Sequence, residues 1–201
     1  MKYYCIKQHD ITDCGAACLA TICKQNGYKI GITKIREVAG TDKQGTNAYG
    51  VIKAAEHLGF SAKGVKGNKD AFFSEFPLPC IAHVIVDGNL LHYVVIHKIT
   101  KKQVIIADPG VGIVKLKPEE FFGEVHEEGK PPKYQWSGVL ILLVKNETFR
   151  IGFDLVDRVE RRGPFAYRSF DHGMNGSSGS GFIMSGITLQ AGLTARLWII
   201  I

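Results

Sequence analysis

The spacing of hydrophobic residues along the chain changes from a helical period to a strand period. Apolar residues recur at helical spacing in three early stretches: CGAACLATICKQNG, KIREVAG and TNAYGVIKAAEHLGF. Short apolar or alternating runs follow from residue 79 onward: PCIAHVIV, NLLHYVVIHKI, QVIIADPG, GIVKLK and WSGVLILLVK. Asp87-Gly88 separates the first two of these runs and predicts a hairpin. Helices followed by mostly antiparallel strands predict an α+β fold.

Two cysteines lie one turn apart at the start of the first predicted helix. Cys14 falls in its first turn, where unpaired N–H groups and the positive end of the helix dipole favour a thiolate. The thiolate is the nucleophilic form of cysteine. Cys18 lies on the same face one turn further in, so we expect it to be buried and protonated behind Cys14.

A nucleophilic cysteine needs a base, and a histidine lies in the second strand of the predicted hairpin. The period of two in LLHYVVIH places His92, Val94 and Ile96 on one face. Asp108 ends the next strand, where an antiparallel neighbour would bring its carboxylate beside His92. Each residue also has a simpler interpretation: His92 as a satisfied core residue, and Asp108 as the opening of a turn.

Gln8 precedes Cys14 on the loop that enters the first helix. We expect its side-chain amide and the Cys14 N–H to point at one spot, and two donors converging beside a nucleophile form an oxyanion hole. The alternative is a solvent-exposed glutamine. In the order Gln8, Cys14, His92 and Asp108, these residues match the arrangement of a papain-type thiol protease.

The composition is typical of a globular domain in a reducing compartment. Hydrophobic residues make up 45% of the chain and charged residues 22%, as in ordinary soluble proteins. The net charge of +6 is modest. No stretch combines Lys and Arg with aromatic residues as a nucleic-acid groove requires, so we expect no nucleic-acid partner. An odd number of cysteines, 5, and an N-terminus without the apolar core of a signal peptide predict free thiols.

The use of lysine changes abruptly near residue 147. Every lysine lies between Lys2 and Lys145, whereas only arginine supplies the long cationic side chains beyond residue 147. The later segment also contains the linker-like stretch GMNGSSGSG. We therefore predict one domain over residues 1–147 and a separate segment over residues 148–201. That segment is either a natural connector or a vector-encoded or frame-shifted extension.

Four stretches resemble the C39 peptidase domain of bacterial peptidase-containing ABC transporters: QHDITDCGAACLA, GTDKQGTNAYGVIKAAEHLGF, NLLHYVVI and ADPG. These transporters export bacteriocins, competence peptides and similar secreted peptides. The resemblance covers residues 3 to about 145 and implies a papain-like fold. It also implies that Cys14 is the catalytic cysteine, His92 its base, Asp108 the orienting acid and Gln8 the oxyanion-hole glutamine.

The resemblance further implies a substrate. It predicts cleavage of a precursor peptide directly after the Gly-Gly pair that ends its leader, with the leader bound partly as an amphipathic helix. Glycine alone lets a backbone pass through a narrow cleft without a Cβ in the way. Our candidates for lining that cleft are Asn47 and Tyr49. In the alternative interpretation, Asn47 only caps the third helix and Tyr49 packs.

The resemblance places the domain at the cytoplasmic face of a bacterial cell membrane, with transmembrane and nucleotide-binding domains of the parent transporter as its partners. The sequence has no G-x4-G-K-[ST] phosphate loop. We therefore expect no cofactor for proteolysis, and ATP and Mg²⁺ would belong to other parts of the parent.

Three alternatives stay open at the level of sequence. The first is a module that docks the leader without cleaving it. The second is a metal site at Cys14, Cys18 and Cys23, although no second Cys or His pair at structural-zinc spacing follows them. The third is a papain-like transfer of the acyl group to an acceptor other than water.

Overall fold

The computed structural model describes residues 2–43, 45–146 and 198–200. The predicted boundary near residue 147 stays a prediction, because nearly all of the segment 148–201, with its Gly/Ser-rich stretch, lies outside the described residues.

Helices come first and strands dominate later, which confirms the α+β prediction. The helical elements are a 3₁₀ turn Ile11–Asp13, α1 Cys14–Gln25, α2 Ile32–Ala39, α3 Ala48–His57, α4 Lys69–Phe72 and α5 Pro118–Phe122. The strands are β1 Phe60–Gly67, β2 Cys80–Val86, β3 Leu90–Ile99, β4 Val104–Asp108, β5 Gly112–Leu116, β6 Tyr134–Lys145 and β7 Trp198–Ile200. They form one sheet in the order β5-β4-β3-β2-β6-β1-β7, and every neighbouring pair is antiparallel.

The hairpin predicted at Asp87-Gly88 joins β2 to β3. Asp87 and Gly88 have φ angles of 49° and 79°, which are the left-handed values that a tight hairpin turn requires. The register pairs Val84 with His92 and Cys80 with Ile96. The turn therefore fixes which face of β3 each side chain occupies.

The sheet separates two hydrophobic cores. On one face, α1, α2 and α3 pack against residues that include Tyr93 and Val95. On the other face, α4 and α5 contribute Phe72 and Phe121, which pack with Trp136 and with Val94 and Ile96. This alternation along β3 confirms the predicted division of its faces.

Strands β1 and β7 and helix α4 were not predicted from the sequence. β1 Phe60–Gly67 has the sequence FSAKGVKG, in which two glycines and two lysines weaken any apolar alternation. It forms because it pairs along its length with β6, which lies far away in the chain. The short α4 follows directly, and the Asn68 side chain caps it by accepting a hydrogen bond from the Ala71 N–H.

Close packing of the three long helices depends on two glycines. A Cβ on Gly15 in α1 would lie 3.0 Å from Val51 Cγ2 of α3. A Cβ on Gly50 in α3 would lie 2.3 Å from the backbone oxygen of Ala39, at the end of α2. Because a backbone oxygen cannot rotate away, α2 and α3 approach this closely only with glycine at position 50.

We expect Gly50→Ala to destabilise the domain by about 1–3 kcal/mol, because the overpacking cost exceeds the gain in helix propensity. Urea unfolding followed by circular dichroism measures this change. Gly31→Ser is the matched control, since a Cβ there has no atom within 4 Å and serine is favoured at an N-cap. Equal stability of the Gly50→Ala variant and the wild type would contradict this packing account.

Candidate active site

The nucleophile candidate Cys14 is the first residue of α1 and is 6% exposed. The 3₁₀ turn before it is capped by Asp10, whose carboxylate accepts a hydrogen bond from the Thr12 N–H at 2.8 Å. Asp13 occupies the N-cap position of α1, yet its side chain makes no capping hydrogen bond to that helix. The positive end of α1 is therefore left next to Cys14 without a carboxylate cap.

His92 and Asp108 meet in a buried pair. Their strands β3 and β4 are antiparallel neighbours, and His92 Nε2 lies 2.9 Å from Asp108 Oδ1. Both side chains are almost fully buried. The sequence-based expectation that an antiparallel neighbour brings the Asp108 carboxylate beside His92 is confirmed.

Three donors converge on the Asp108 carboxylate. Besides His92, the Tyr134 hydroxyl donates to Oδ2 at 2.7 Å and the Gly110 N–H donates to Oδ1 at 2.8 Å. Burial by itself would raise the pKa of Asp108, but the hydrogen bonds from His92 and Tyr134 and the charge of His92 lower this pKa to about 2. The carboxylate is therefore ionised at every physiological pH.

His92 is held in its charged form by the same pair. Burial opposes protonation, but hydrogen bonds with Asp108 and Cys14, and the charges of both, raise the pKa of His92 to about 9. Since this pKa lies above the ordinary 6.5, the pair stabilises the fold fully below pH 6.5, and that contribution is lost as the pH rises through 9. Because Nε2 faces Asp108, the other ring nitrogen is left for the Cys14 sulfur.

Cys18 is completely buried one turn behind Cys14, as expected. Burial, followed by the nearby Cys14 and Asp108, raises its pKa well above the ordinary value for a thiol. Cys18 is therefore a protonated packing residue and not a second nucleophile.

Gln8 lies beside the loop that follows Asp108. Its backbone N–H donates to the carbonyl oxygen of Pro109 at 3.1 Å. Its side-chain oxygen is buried and has no hydrogen-bond partner in the part of the chain that the structure describes. Buried polar atoms are nearly always paired, so an unpaired buried oxygen is unusual. Gln8 as a whole is half-buried, so it is not the solvent-exposed glutamine of the alternative interpretation.

Asn47 and Tyr49 lie at the start of α3. Asn47 caps this helix, because its Oδ1 accepts a hydrogen bond from the Gly50 N–H at 2.8 Å. Tyr49 does not pack in a core: it is 68% exposed, and the Lys53 ammonium lies 5.4 Å from its ring centroid. A role for either residue in a substrate cleft stays a prediction.

Sequence reasoning missed Tyr134. It begins β6 and reaches Asp108 from 26 positions further along the chain. A tyrosine at the start of a strand carries no local sign of such a contact, since the contact depends on β6 lying beside β2 in the sheet.

A thiol at a helix start, hydrogen-bonded to a histidine that a buried carboxylate orients, is the catalytic arrangement of the cysteine peptidases. The α+β fold that carries it here is papain-like. Comparisons with known proteins place the chain within this class.

A family model described as the peptidase C39 family matches residues 2–148. The lactococcin-G-processing and transport ATP-binding protein LagD of Lactococcus lactis is 37% identical over 153 residues, covering 76% of this chain and 20% of LagD. The peptidase domain of Streptococcus ComA, a bi-functional ABC transporter involved in a quorum-sensing pathway, is similar with a TM-score of 0.63 and 33% identity, covering 72% of this chain and all of that domain.

A second solved structure is a double glycine motif protease from an AMS/PCAT transporter in complex with the leader peptide. It is similar with a TM-score of 0.60 and 29% identity, covering 72% of this chain and 93% of that one.

The chain therefore belongs to the peptidase C39 family, whose members are cysteine peptidases. It spans about a fifth of the length of the curated relatives that it matches. Among the residues that the structure describes, no helix is long and apolar enough to cross a membrane.

We expect Tyr134→Phe to lower the free energy of unfolding by about 1–3 kcal/mol at pH 6, because a hydrogen bond to a charged group is lost. Asp108 has a lowered pKa, so its stabilisation is present above pH 3.8 and is lost as the pH falls through about 2. The difference between variant and wild type should therefore shrink as the pH falls from 4 towards 2. Urea unfolding over this range measures it.

Tyr3→Phe is the matched control, because the Tyr3 ring stacks on His97 and lies outside the Asp108 cluster. The difference in the free energy of unfolding between Tyr3→Phe and the wild type should stay constant over the same pH range. A pH-independent loss in Tyr134→Phe would show that the hydroxyl does not act through the Asp108 carboxylate.

Proposed function

We propose that this chain is the peptidase domain of a peptide exporter and removes the leader of a precursor by cutting after a Gly-Gly pair. The observation that carries the proposal is the Cys14–His92–Asp108 arrangement in a member of the peptidase C39 family. The substrate is inferred from a relative that is described as a double glycine motif protease and was solved with a leader peptide.

The proposed reaction is acyl transfer through a thioester. The Cys14 thiolate attacks the carbonyl carbon of the second glycine, and the Gln8 amide and the Cys14 N–H stabilise the oxyanion. His92, charged at neutral pH, gives its proton to the departing amine and then takes one from the water that hydrolyses the thioester. Asp108 holds the imidazole in one orientation throughout and stabilises its positive charge.

The buried position of Cys14 supports the proposed preference for glycine. Because Cys14 is only 6% exposed, a substrate must bring its backbone deep into the cleft to reach the sulfur. Glycine permits this approach because it has no Cβ. We further propose that Tyr49, exposed near the start of α3, contacts the leader, and that Asn47 shapes the cleft by fixing the first turn of that helix.

The partners of the domain follow from the names of its relatives. LagD is a processing and transport ATP-binding protein, and ComA is an ABC transporter. We propose that this domain likewise works together with transmembrane and nucleotide-binding domains, on the cytoplasmic side of the membrane, and that it cuts the precursor before export. ATP and Mg²⁺ would act in those other domains.

A synthetic peptide with an amphipathic leader that ends in Gly-Gly tests the proposed function. We expect the wild type to cut after the second glycine, Cys14→Ala to be inactive, and Gln8→Ala to lose about 10²- to 10³-fold in kcat because one oxyanion donor is missing. Mass spectrometry locates the cut. Cys18→Ala is the control: it removes a thiol from the same helix face and should retain cleavage.

Three other results would each change the conclusion. Tight leader binding without turnover by the wild type would indicate a docking module. Adducts of added amines in place of the free leader acid would indicate transfer to an acceptor other than water. A Gln8→Ala variant within about twofold of the wild type would remove Gln8 from the oxyanion hole.

We expect Tyr49→Ala to raise KM for the full-length leader substrate by about tenfold, because tenfold corresponds to about 1.4 kcal/mol, within the range that an aromatic anchor loses on truncation. Val125→Ala, at an exposed apolar position after α5, is the matched control and should leave KM unchanged. Steady-state kinetics on both variants measures this. An unchanged KM in Tyr49→Ala would exclude the ring from leader binding.

A further inference from the structure

An ion pair lies beneath the loop that connects Gln8 to Cys14. Asp13 immediately precedes Cys14, and its side chain is only 1% exposed. Its Oδ1 atom lies 2.5 Å from Arg36 Nη1, which reaches across from α2. Because a buried carboxylate without a partner is strongly unfavourable, the charge of Arg36 offsets the cost of burying Asp13 at this position.

The second carboxylate oxygen of Asp13 organises the loop backbone. Oδ2 accepts hydrogen bonds from the N–H groups of His9 and Asp10, at 3.2 and 3.3 Å. Arg36 Nη1 also contacts Asp10 Oδ2 at 3.2 Å. The loop is therefore folded around two carboxylates that one guanidinium holds together.

This loop carries both donors that the proposed function assigns to the oxyanion hole. Gln8 precedes His9, whose N–H is bound to Asp13, and the Cys14 N–H directly follows Asp13 in the chain. The Gln8 side-chain oxygen has no partner of its own among the described residues. The position of its amide therefore depends on the backbone that the Asp13–Arg36 pair shapes.

The nucleophile itself is held by other contacts. α1 is anchored by a continuous buried face that includes Cys18 and Leu19, and His92 is oriented by Asp108. Loss of the Asp13–Arg36 pair should therefore disturb the oxyanion donors more than the Cys14–His92 contact.

We propose that Arg36, acting through Asp13, is a positioning residue that sets the distance between the Gln8 amide and the Cys14 N–H. The proposal rests on the oxyanion role assigned to Gln8 in the proposed function. It separates two properties of the enzyme: the reactivity of the Cys14 thiolate, which Arg36 leaves unchanged, and the stabilisation of the oxyanion, which Arg36 supports.

The test compares two reactions of Arg36→Gln in the whole chain. Cleavage of the Gly-Gly peptide develops an oxyanion, so kcat should fall about 10- to 100-fold with KM within about twofold of the wild type. Alkylation of Cys14 by iodoacetamide needs the thiolate but no oxyanion hole, so its rate should stay within about twofold of the wild type. Arg36→Lys keeps a cation without the planar fork and should recover part of kcat.

A double variant distinguishes positioning from general destabilisation. If Arg36 acts through Gln8, the variant Gln8→Ala/Arg36→Gln should have the kcat of Gln8→Ala alone, within about threefold, because there is no longer an amide to position. Glu37→Gln is the matched control: it removes an exposed ion pair with Lys34 from the same helix and should leave both reactions unchanged. Asp13→Asn keeps the side-chain volume and should show the same loss in kcat. It replaces Arg36→Gln in the test if that variant does not fold.

The outcomes separate this proposal from the proposed function. The positioning role would be overturned, and the proposed function left intact, by either of two results. In one, the kcat losses of Gln8→Ala and Arg36→Gln multiply in the double variant. In the other, Arg36→Gln slows the alkylation of Cys14 as much as it lowers kcat. A Gln8→Ala variant with full activity would overturn both the oxyanion assignment and the role of Arg36. Failure of the wild type to cut after Gly-Gly, with normal alkylation of Cys14, would overturn the substrate of the proposed function, and the kcat comparison would then be made on the peptide that is cut.

Discussion

The buried hydrogen bond between His92 and Asp108 is the interaction on which the site depends. Removing either side chain from water is unfavourable for its charged form, yet together they keep the carboxylate ionised and the imidazole protonated. Such a pair persists only where its remaining polar atoms are also satisfied. Tyr134 and the Gly110 N–H meet this requirement for Asp108, and Cys14 meets it for His92.

The same pair also explains why the domain needs both halves of its fold. The proposed base His92 and the proposed orienting acid Asp108 come from neighbouring strands of the sheet, whereas the proposed nucleophile comes from α1, which packs on one face of that sheet. The N-terminal segment joins the two parts: the Ile6 N–H donates to the Thr21 hydroxyl of α1, and the Gln8 N–H donates to the Pro109 carbonyl after β4. Helix, loop and sheet therefore hold the reacting groups in one geometry, as an acyl-transfer site requires.

Much of the fold was predictable because its signals are local. The helical spacing around α1, the left-handed turn at Asp87-Gly88 and the alternation along β3 each follow from side-chain period and turn chemistry within a few residues. β1 was missed because its glycines and lysines hide the apolar alternation that marks a strand. Its backbone is extended because it pairs with β6. Its conformation is a consequence of a partner strand and not of its own propensity.

The proposed reacting residues were recognisable from the sequence, because a cysteine at a helix start, a histidine inside an apolar strand and an aspartate at a strand end have characteristic chemistry. The sequence also determined the family, through the short motifs around those residues. The contacts that support these residues are visible only in the folded chain: Tyr134 hydrogen-bonds to Asp108, and Arg36 pairs with Asp13. These contacts join residues 26 and 23 positions apart. Their existence depends on strand order and helix packing, which no local pattern of residues encodes.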